Sequence, residues 1–414
     1  MHLLLQHRHK LVLGLLIILG CRSIERDPIE NLKADVFFLA SDSLKGRETG
    51  SEGEKIAAQY LADQFEKIGL KPAGTDGYFQ EFFVKSAQNP HELPEMTASG
   101  DLAGITGTNV MGMIDTPGDE FVVIGAHYDH LGMGSFSSLY KGDPVIHNGA
   151  DDNASGTAVM LQLARNLSKK ELNRDILFFG ISGEEKGLWG SNYFVKNPTK
   201  DLTKANCMIN LDMVGRLDSL RGLAISGSGT SPGWSEMLDV ANIDSLKLIL
   251  KESGVGPSDH TSFYLQDIPV LHFFTGQHED YHKPTDDADK INYRGMLTIV
   301  NLIERLVLDL DDEVKLTFTK TKDESESAPR FTVTLGVVPD YLFDGKGMRI
   351  DGVSEGKPAH RAGIQKGDIV IQMGDNLVTD MISYMRALSA FEQDDETSVV
   401  INRSGEEIIL EVQF

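Results

Sequence analysis

The chain has 414 residues, of which 41% are hydrophobic and 24% charged, values that are ordinary for a globular protein with two or three domains. Its formal net charge at pH 7 is −23. A chain this acidic lacks the basic surface that nucleic acids require, so we expect no nucleic-acid partner.

The first 21 residues are predicted to be a lipoprotein signal peptide. A basic stretch, residues 7–10, precedes an apolar run at 11–19 that is too short to span a bilayer as a helix. The run ends in Ile18-Leu19-Gly20-Cys21, which resembles a bacterial lipobox with its lipidated cysteine. We expect export to the cell envelope, at the outer membrane or in the periplasm, with membrane attachment through the lipid anchor only. A cleaved signal peptide with an incidental cysteine is the alternative.

The only other cysteine, Cys207, lies in an apolar run at residues 206–212. If Cys21 is acylated, no disulfide can form within the chain. We predict that Cys207 is a small buried hydrophobic residue and not a catalytic thiol.

Hydrophobic periodicity predicts helices and strands in alternation. A helix is predicted over residues 29–38, and a second follows the capping-box pattern at 51–54 and ends at Gly69. Further helical patterns lie at residues 154–167, 234–241 and 296–308. Short continuous apolar runs predict strands buried on both faces, at residues 121–126, 176–181, 208–211, 223–226 and 269–274. This alternation predicts an α/β domain with a mainly parallel mixed sheet between helices.

Several of these runs end at residues that can bind metals. His127, Glu184 with Glu185, and Asp212 follow or end three separate strands, and Asp151 with Asp152 precede a helix. In open α/β sheets the ligand site lies at the carboxyl ends of the strands. With a second imidazole from His282, these residues form a ligand set suited to two divalent metals.

The ordered set resembles the co-catalytic di-zinc aminopeptidases. The motifs are His127-x-Asp129, Asp152-Asn153, Glu184-Glu185, Asp212 and Tyr281-His282, and the resemblance extends over roughly residues 35–308. The family includes secreted bacterial leucine aminopeptidases, glutamate carboxypeptidase and the glutaminyl cyclases. The resemblance implies a zinc exopeptidase-like fold with two Zn²⁺ per chain.

Carried over by position, His127 and Asp212 would bind one zinc, Glu185 and His282 the other, and Asp152 would bridge them. Asp151 competes with Asp152 for the bridging role. We choose Asp152 because it precedes Asn153 as the family's ligand does, and the resemblance implies a cis peptide bond after it.

The resemblance also assigns roles to residues beside the metals. Glu184 would be the general base that activates a metal-bridging water. Asp129 would accept the other ring N–H of His127, and Tyr281 would stabilise the oxyanion. His130 is interpreted as a plain loop residue, while Asp286 is either a support near His282 or a solvated carboxylate.

The segment Ser258-Asp259-His260 resembles a family element that lines the substrate pocket. Residues adjacent in sequence do not make the geometry of a catalytic triad, so we expect no nucleophilic catalysis by this serine.

A change of composition predicts a second domain. We divide the chain into the di-zinc peptidase domain at residues 22–310, a polar linker at 311–329 and a small β-rich domain at 330–414. The last domain resembles a protease-associated PDZ domain, with Leu335-Gly336-Val337-Val338 as its carboxylate-binding loop. Such a domain binds the C-terminus of a peptide ligand; a structural domain with a closed groove is the alternative.

These observations predict a zinc aminopeptidase that removes N-terminal residues from peptides. The alternatives within enzymes are a glutaminyl cyclase or a carboxypeptidase on the same scaffold. A catalytically inactive binding protein is a third hypothesis, which the complete ligand set argues against.

Overall fold

The computed structural model describes residues 26–85, 96–97, 104–135, 137–321, 333–340, 343, 345–354 and 356–414. The predicted signal peptide and Cys21 lie outside these residues. No helix in the described part of the chain is long and apolar enough to cross a membrane.

The N-terminal domain, as we call residues 26–321, contains seven of the described α-helices and a ten-stranded sheet. The helices are α1 (Pro28–Leu39), α2 (Glu52–Ile68), α3 (Gly156–Leu167), α4 (Trp189–Lys196), α5 (Trp234–Ala241), α6 (His260–Tyr264) and α7 (Tyr293–Asp312). The strands are β1 (Lys71–Pro72), β2 (Phe79–Lys85), β3 (Met96–Thr97), β4 (Gly104–Ile114), β5 (Phe121–His127), β6 (Asp175–Ile181), β7 (Ala205–Leu211), β8 (Leu223–Ser226), β9 (Leu248–Lys251) and β10 (Val270–Phe274).

The sheet is parallel at its centre, and an antiparallel pair joins that centre to the strands on each side. Its strand order is β3-β2-β4-β6-β5-β7-β10-β8-β9, with β1 paired to β4. Strands β6, β5, β7 and β10 are parallel neighbours, whereas β4 and β8 join them antiparallel. The predicted central strands are confirmed. The expected α/β domain with a mixed sheet between helices is confirmed, although the sequence did not predict the antiparallel strands β2 and β4.

Helices cover both faces of the sheet, as buried strands require. Helices α1, α2, α3, α5 and α7 share one core with β5, β6 and β7, and α4 and α6 pack with the other face. Cys207 on β7 is fully buried, and burial raises the pKa of its thiol. The interpretation of Cys207 as a core residue is confirmed.

Helix α2 begins and ends where predicted, but its capping box is incomplete. The Ser51 side chain accepts a hydrogen bond from the Glu54 N–H at 3.2 Å, and Gly69 ends the helix with φ at 91°. The Glu54 carboxylate accepts instead from the N–H groups of Gly50 at 2.6 Å and Thr108 at 3.0 Å. Glu54 therefore connects α2 to β4.

The C-terminal domain, as we call residues 333–414, has its own sheet and hydrophobic core. Its elements are β11 (Val337–Pro339), β12 (Met348–Val353), α8 (Pro358–Ala362), β13 (Ile369–Met373), β14 (Asn376–Leu377), α9 (Met381–Leu388), β15 (Glu396–Arg403) and β16 (Glu406–Gln413). The sheet order is β11-β12-β13-β15-β16, with β14 on β13. The small β-rich domain that the sequence predicts is confirmed.

The segment after α7 packs against the N-terminal domain. The Leu316 N–H donates to the Asn206 side chain at 3.0 Å, and the Thr319 N–H donates to the Thr230 carbonyl oxygen at 2.8 Å. The first part of the predicted linker therefore packs against the N-terminal domain, and residues 322–332 lie outside the described chain.

Arg47 connects the chain after α1 to the loops at the carboxyl edge of the sheet. Its fully buried guanidinium donates to the carbonyl oxygens of Tyr128 and Asn148 at 2.7 Å each, of Gly149 at 3.0 Å, and of Leu39. A planar guanidinium with five N–H donors is the side chain best suited to hold several carbonyls at once.

We predict that Arg47→Met lowers the free energy of unfolding by about 3–5 kcal/mol, because three buried carbonyl oxygens and one part-buried carbonyl oxygen lose their donor. The thermal unfolding midpoint, followed by circular dichroism, should fall by roughly 6 °C or more. Lys204→Met is the control, since Lys204 forms an exposed pair with Asp119 at 2.6 Å; its midpoint should change by no more than roughly 2 °C. Equal shifts in the two variants would contradict this role of Arg47.

Candidate metal centre

The carboxyl edge of the sheet carries the predicted metal ligands. His127 is the last residue of β5, Asp212 follows β7, and Glu185 lies in the loop after β6. The register of β5 and β6 pairs His127 with Ile181, so both chains leave the sheet at the same level. Asp152 comes from the turn before α3 and His282 from the loop after β10.

The five predicted ligands form two groups that share Asp152. The His127 Nε2 atom lies 3.4 Å from Asp152 Oδ1 and 3.4 Å from Asp212 Oδ1. The His282 Nε2 atom lies 3.2 Å from Asp152 Oδ2 and 3.3 Å from Glu185 Oε2. Each oxygen of the Asp152 carboxylate therefore faces a different histidine, as a carboxylate that bridges two metals would.

These distances suit zinc. Ligand atoms 2.0–2.1 Å from a tetrahedral ion lie about 3.3 Å from one another, and the ring nitrogens and carboxylate oxygens have this spacing in both groups. Burial alone would lower the pKa of His127, yet the carboxylates around it, Asp212 first, hold that pKa well above its usual range. The pocket thus has an excess of negative charge that cations would offset.

The structure separates the two adjacent aspartates. Asp151 Oδ1 accepts the Gly215 N–H at 2.6 Å, and its Oδ2 lies 3.1 Å from His278 Nε2. The N–H groups of Asp151 and Asp152 both donate to Asp286 Oδ2, at 2.8 Å and 3.1 Å. Asp151 therefore points away from His127 and His282, and the Asp286 carboxylate supports the turn that carries Asp152.

The Asp152–Asn153 peptide bond is cis, as the resemblance implied. The Asn153 side chain then joins two loops of the site. It donates to the Leu211 carbonyl oxygen at 2.8 Å and accepts the Met213 N–H at 3.1 Å.

Asp129 lies beside His127, but the ring nitrogen bonds a different oxygen. The His127 Nδ1 atom is 3.3 Å from the Asp129 carbonyl oxygen and 3.6 Å from its carboxylate. The carboxylate distance is too long for a hydrogen bond. The Asp129 carboxylate instead accepts the Glu184 N–H at 3.2 Å and the Thr49 hydroxyl at 2.9 Å, so it positions the loop that carries Glu184.

Ser258 supports Asp212, which the sequence did not indicate. Its hydroxyl donates to Asp212 Oδ2 at 2.7 Å and accepts from the Asn210 amide at 2.8 Å. The hydroxyl is thus committed to a predicted metal ligand, which agrees with the expectation that it is no nucleophile. Its neighbour Asp259 is fully buried, and this burial raises the pKa of Asp259 to about 7.

His130 is not a plain loop residue in the structure. It is buried, and its Nδ1 lies 2.9 Å from Glu185 Oε1 and 3.9 Å from Asp152 Oδ2. His130, Asp152 and Glu185 thus offer ligand atoms close enough to hold an ion, as do His127, Asp152 and Asp212. The only signal in the sequence was its spacing of three residues from His127.

Glu184 lies next to the predicted ligand Glu185, and its environment favours the protonated carboxyl group. Desolvation in the pocket raises its pKa well above the usual range, and the adjacent Glu185 and Asp212 carboxylates raise it further. Tyr281 stacks on the His282 ring with centroids 3.8 Å apart, so its ring lies at the edge of the metal centre.

Comparison with known proteins identifies both parts of the chain. Residues 109–307 match the model of peptidase family M28, and residues 311–414 match that of the PDZ domain. Among curated proteins, a probable zinc metalloprotease of Pyrenophora teres f. teres is 30% identical over 197 residues, which is 47% of this chain and 38% of that protein. Aminopeptidase YwaD of Bacillus subtilis is 29% identical over 201 residues, 46% of this chain and 41% of that protein. The chain thus spans about two fifths of the length of these relatives.

Solved structures establish the fold. BSAP, a zinc aminopeptidase from Bacillus subtilis, superposes with a TM-score of 0.54 at 18% identity over 70% of this chain and 97% of that one. A Zn-dependent exopeptidase from Parabacteroides distasonis gives a TM-score of 0.55 at 18% identity, over 69% of this chain and 98% of that one. The family models and this fold agree: residues 109–307 match peptidase family M28, and residues 311–414 match the PDZ domain.

Proposed function

We propose that the protein is an aminopeptidase that uses two zinc ions to hydrolyse N-terminal residues from peptides. The observation that carries the proposal is the Asp152 carboxylate, whose two oxygens face His127 at 3.4 Å and His282 at 3.2 Å. The peptidase family M28 match and the aminopeptidase relative from Bacillus subtilis support the same activity.

His127 and Asp212 would hold one zinc ion, Glu185 and His282 the other, and Asp152 both. When bound, two zinc ions would polarise the scissile carbonyl and lower the pKa of an attacking water. Glu184 would take the proton of that water on its carboxylate and pass it to the leaving amine. Its raised pKa suits the second step, because a carboxyl group that holds its proton can act as an acid. Tyr281 would donate its hydroxyl to the developing oxyanion.

The Asp129 carboxylate, which lies beside the predicted ligands, would attract the substrate's N-terminus. A free α-ammonium group is the part of a peptide that such a negatively charged pocket recognises. A blocked N-terminus would forfeit this attraction, so the arrangement favours aminopeptidase over carboxypeptidase activity.

We predict that peptides with a free apolar N-terminal residue are hydrolysed, that acetylated peptides are not, and that an N-terminal glutamine is not cyclised. Products are identified by mass spectrometry after incubation with zinc. Pyroglutamate and ammonia without hydrolysis would indicate a glutaminyl cyclase instead. Cleavage confined to the C-terminal bond would indicate a carboxypeptidase.

We predict that Glu184→Gln lowers kcat by at least about 10²-fold while zinc content stays near two ions per chain, because proton transfer is lost but no ligand is. Asp152→Ala should lose zinc as well as activity. Elemental analysis after gentle purification measures the metal. Glu171→Gln, a change of an exposed residue before β6 at the opposite edge of the sheet, is the control and should match the wild type. Wild-type turnover in Glu184→Gln would exclude Glu184 as the base, and a wild-type stoichiometry of one ion would exclude the two-metal site.

We further propose that the protein is exported and held at a membrane of the cell envelope by a lipid on Cys21. The support is the lipobox-like end of the first 21 residues. In a bacterial host, the wild type should partition into the detergent phase of a phase-separation assay, and Cys21→Ser into the aqueous phase. Aqueous partitioning of the wild type would contradict lipidation.

A further inference from the structure

A cavity of about 550 Å³ lies where the peptidase and PDZ domains meet. Two loops of the peptidase domain, residues 139–142 and 278–283, form one side of it, and the paired strands β11 and β12 of the PDZ domain with Ser354 form the other. Pockets of this volume hold ligands the size of a short peptide. The predicted metal ligands all belong to the peptidase domain, so the PDZ side of the cavity is not part of the metal centre.

Two residues that line the cavity contact the predicted metal ligand His282. Tyr281, which lines it, stacks on the predicted ligand His282 at 3.8 Å between ring centroids. The Leu139 N–H, on the facing loop, donates to the His282 carbonyl oxygen at 3.0 Å. If the first residue of a peptide lies at the metals, this cavity offers space for the residues that follow it.

The PDZ domain is fixed against these loops. The Arg221 guanidinium donates to the Gln277 carbonyl oxygen at 3.1 Å and to Asp351 Oδ2 at 3.1 Å. Asp351 belongs to β12, and Gln277 directly precedes the loop that lines the cavity. Strand β11 is the edge of its sheet in the described chain, and its Val338 lines the cavity. An edge strand offers backbone groups to an extended peptide.

The charges of the cavity are opposite to those of the metal centre. Lys141 and Lys283 line it and Glu279 is the one acidic residue among its described lining residues. Lys283 Nζ donates to the Glu279 carbonyl oxygen at 2.7 Å, so it has no carboxylate partner in that contact. The chain as a whole has a net charge of −23, so two ammonium groups in one cavity are a local exception. The carboxylates of the metal centre would attract the positive N-terminus of a short peptide, and the two ammonium groups would attract its negative C-terminus.

We propose that this interdomain cavity binds the C-terminal part of short peptide substrates, and that Lys141 and Lys283 recognise the terminal carboxylate. The proposal rests on the proposed aminopeptidase function and names its substrate class: peptides of a few residues with both ends free. The PDZ domain supplies one wall and so limits the length of the peptide. The peptide's N-terminal residue lies at the metals, and its remaining residues extend along Val338 and Gly352.

The test compares Leu-Gly-Gly-Gly as the free acid with the same peptide as the C-terminal amide. For the wild type we expect kcat/KM to be at least about tenfold higher for the acid, since the amide carries no charge for the lysines to attract. In the double variant Lys141→Ala, Lys283→Ala this ratio should fall towards one. The control is Lys55→Ala with Lys67→Ala, two exposed lysines of α2, which should keep the wild-type ratio.

The wall from the PDZ domain is tested separately. Ser354→Trp introduces a large side chain into the cavity and should lower kcat/KM for the tetrapeptide at least about tenfold relative to the dipeptide Leu-Gly. An unchanged tetrapeptide-to-dipeptide ratio in a folded Ser354→Trp protein would overturn the role of the PDZ wall. An acid-to-amide ratio near one in the wild type, or one retained in the lysine double variant, would overturn the carboxylate site.

Failure of the proposed function would give a different result. If the zinc-loaded wild type hydrolyses neither leucine p-nitroanilide nor any peptide, the aminopeptidase assignment is wrong. Binding then decides on the cavity. Calorimetric titration of Leu-Gly-Gly-Gly acid into the Glu184→Gln protein should show binding that weakens at least about tenfold when Lys141 and Lys283 are also replaced by alanine. Equal affinity in the two proteins would overturn the proposal.

Discussion

The concentration of carboxylates at one edge of the sheet is the constraint on which the rest of the peptidase domain depends. Asp152, Glu185 and Asp212 converge on two imidazoles at 3.2–3.4 Å. Like charges this close repel strongly in a desolvated pocket. The carboxylates around His282, Glu185 first, outweigh its burial and hold its pKa well above the usual range, so the pocket favours positive charge at the ring positions. Divalent ions supply that charge in the smallest volume.

Residues of the surrounding fold hold the backbone segments that carry the metal ligands. Asp286 receives the backbone N–H groups of Asp151 and Asp152, and Asn153 joins the start of α3 to the loop after β7. The Arg47 guanidinium donates to the carbonyl oxygen of Tyr128, which follows His127, and to those of Asn148 and Gly149, which precede the turn of Asp152. These contacts fix the backbone so that the ligand side chains need little freedom. Residues that form hydrogen bonds with ligand-bearing segments keep the metal ligands in the orientation that the metal needs.

The sequence predicted the parts of the structure whose signals are local. Continuous apolar runs identify β5, β6 and β7 because strands buried on both faces need them, and the residues after those strands meet because parallel strands end at one edge. Strand β4, Gly104–Ile114, was not predicted because its three glycines and its asparagine are residue types that are rare in strands. The contacts of His130 with Glu185, of Ser258 with Asp212 and of Asp286 with Asp152 join residues 46–134 positions apart. No periodicity reports such contacts, since they depend on how distant loops pack.

The position of the PDZ domain and the geometry of the metal centre are linked through one loop. This loop, residues 277–282, begins at Gln277 and ends at His282. The Arg221 guanidinium donates both to the Gln277 carbonyl oxygen and to Asp351 of the PDZ domain. The same loop lines the interdomain cavity and is joined to residue 139 by the His282 carbonyl. A ligand that binds the cavity and the PDZ wall together therefore favours one placement of this loop, and with it one placement of His282. Because such coupling is reciprocal, a metal ion held at His282 would favour the same placement of the loop. The PDZ domain is in this way part of the site's environment and not a separate attachment.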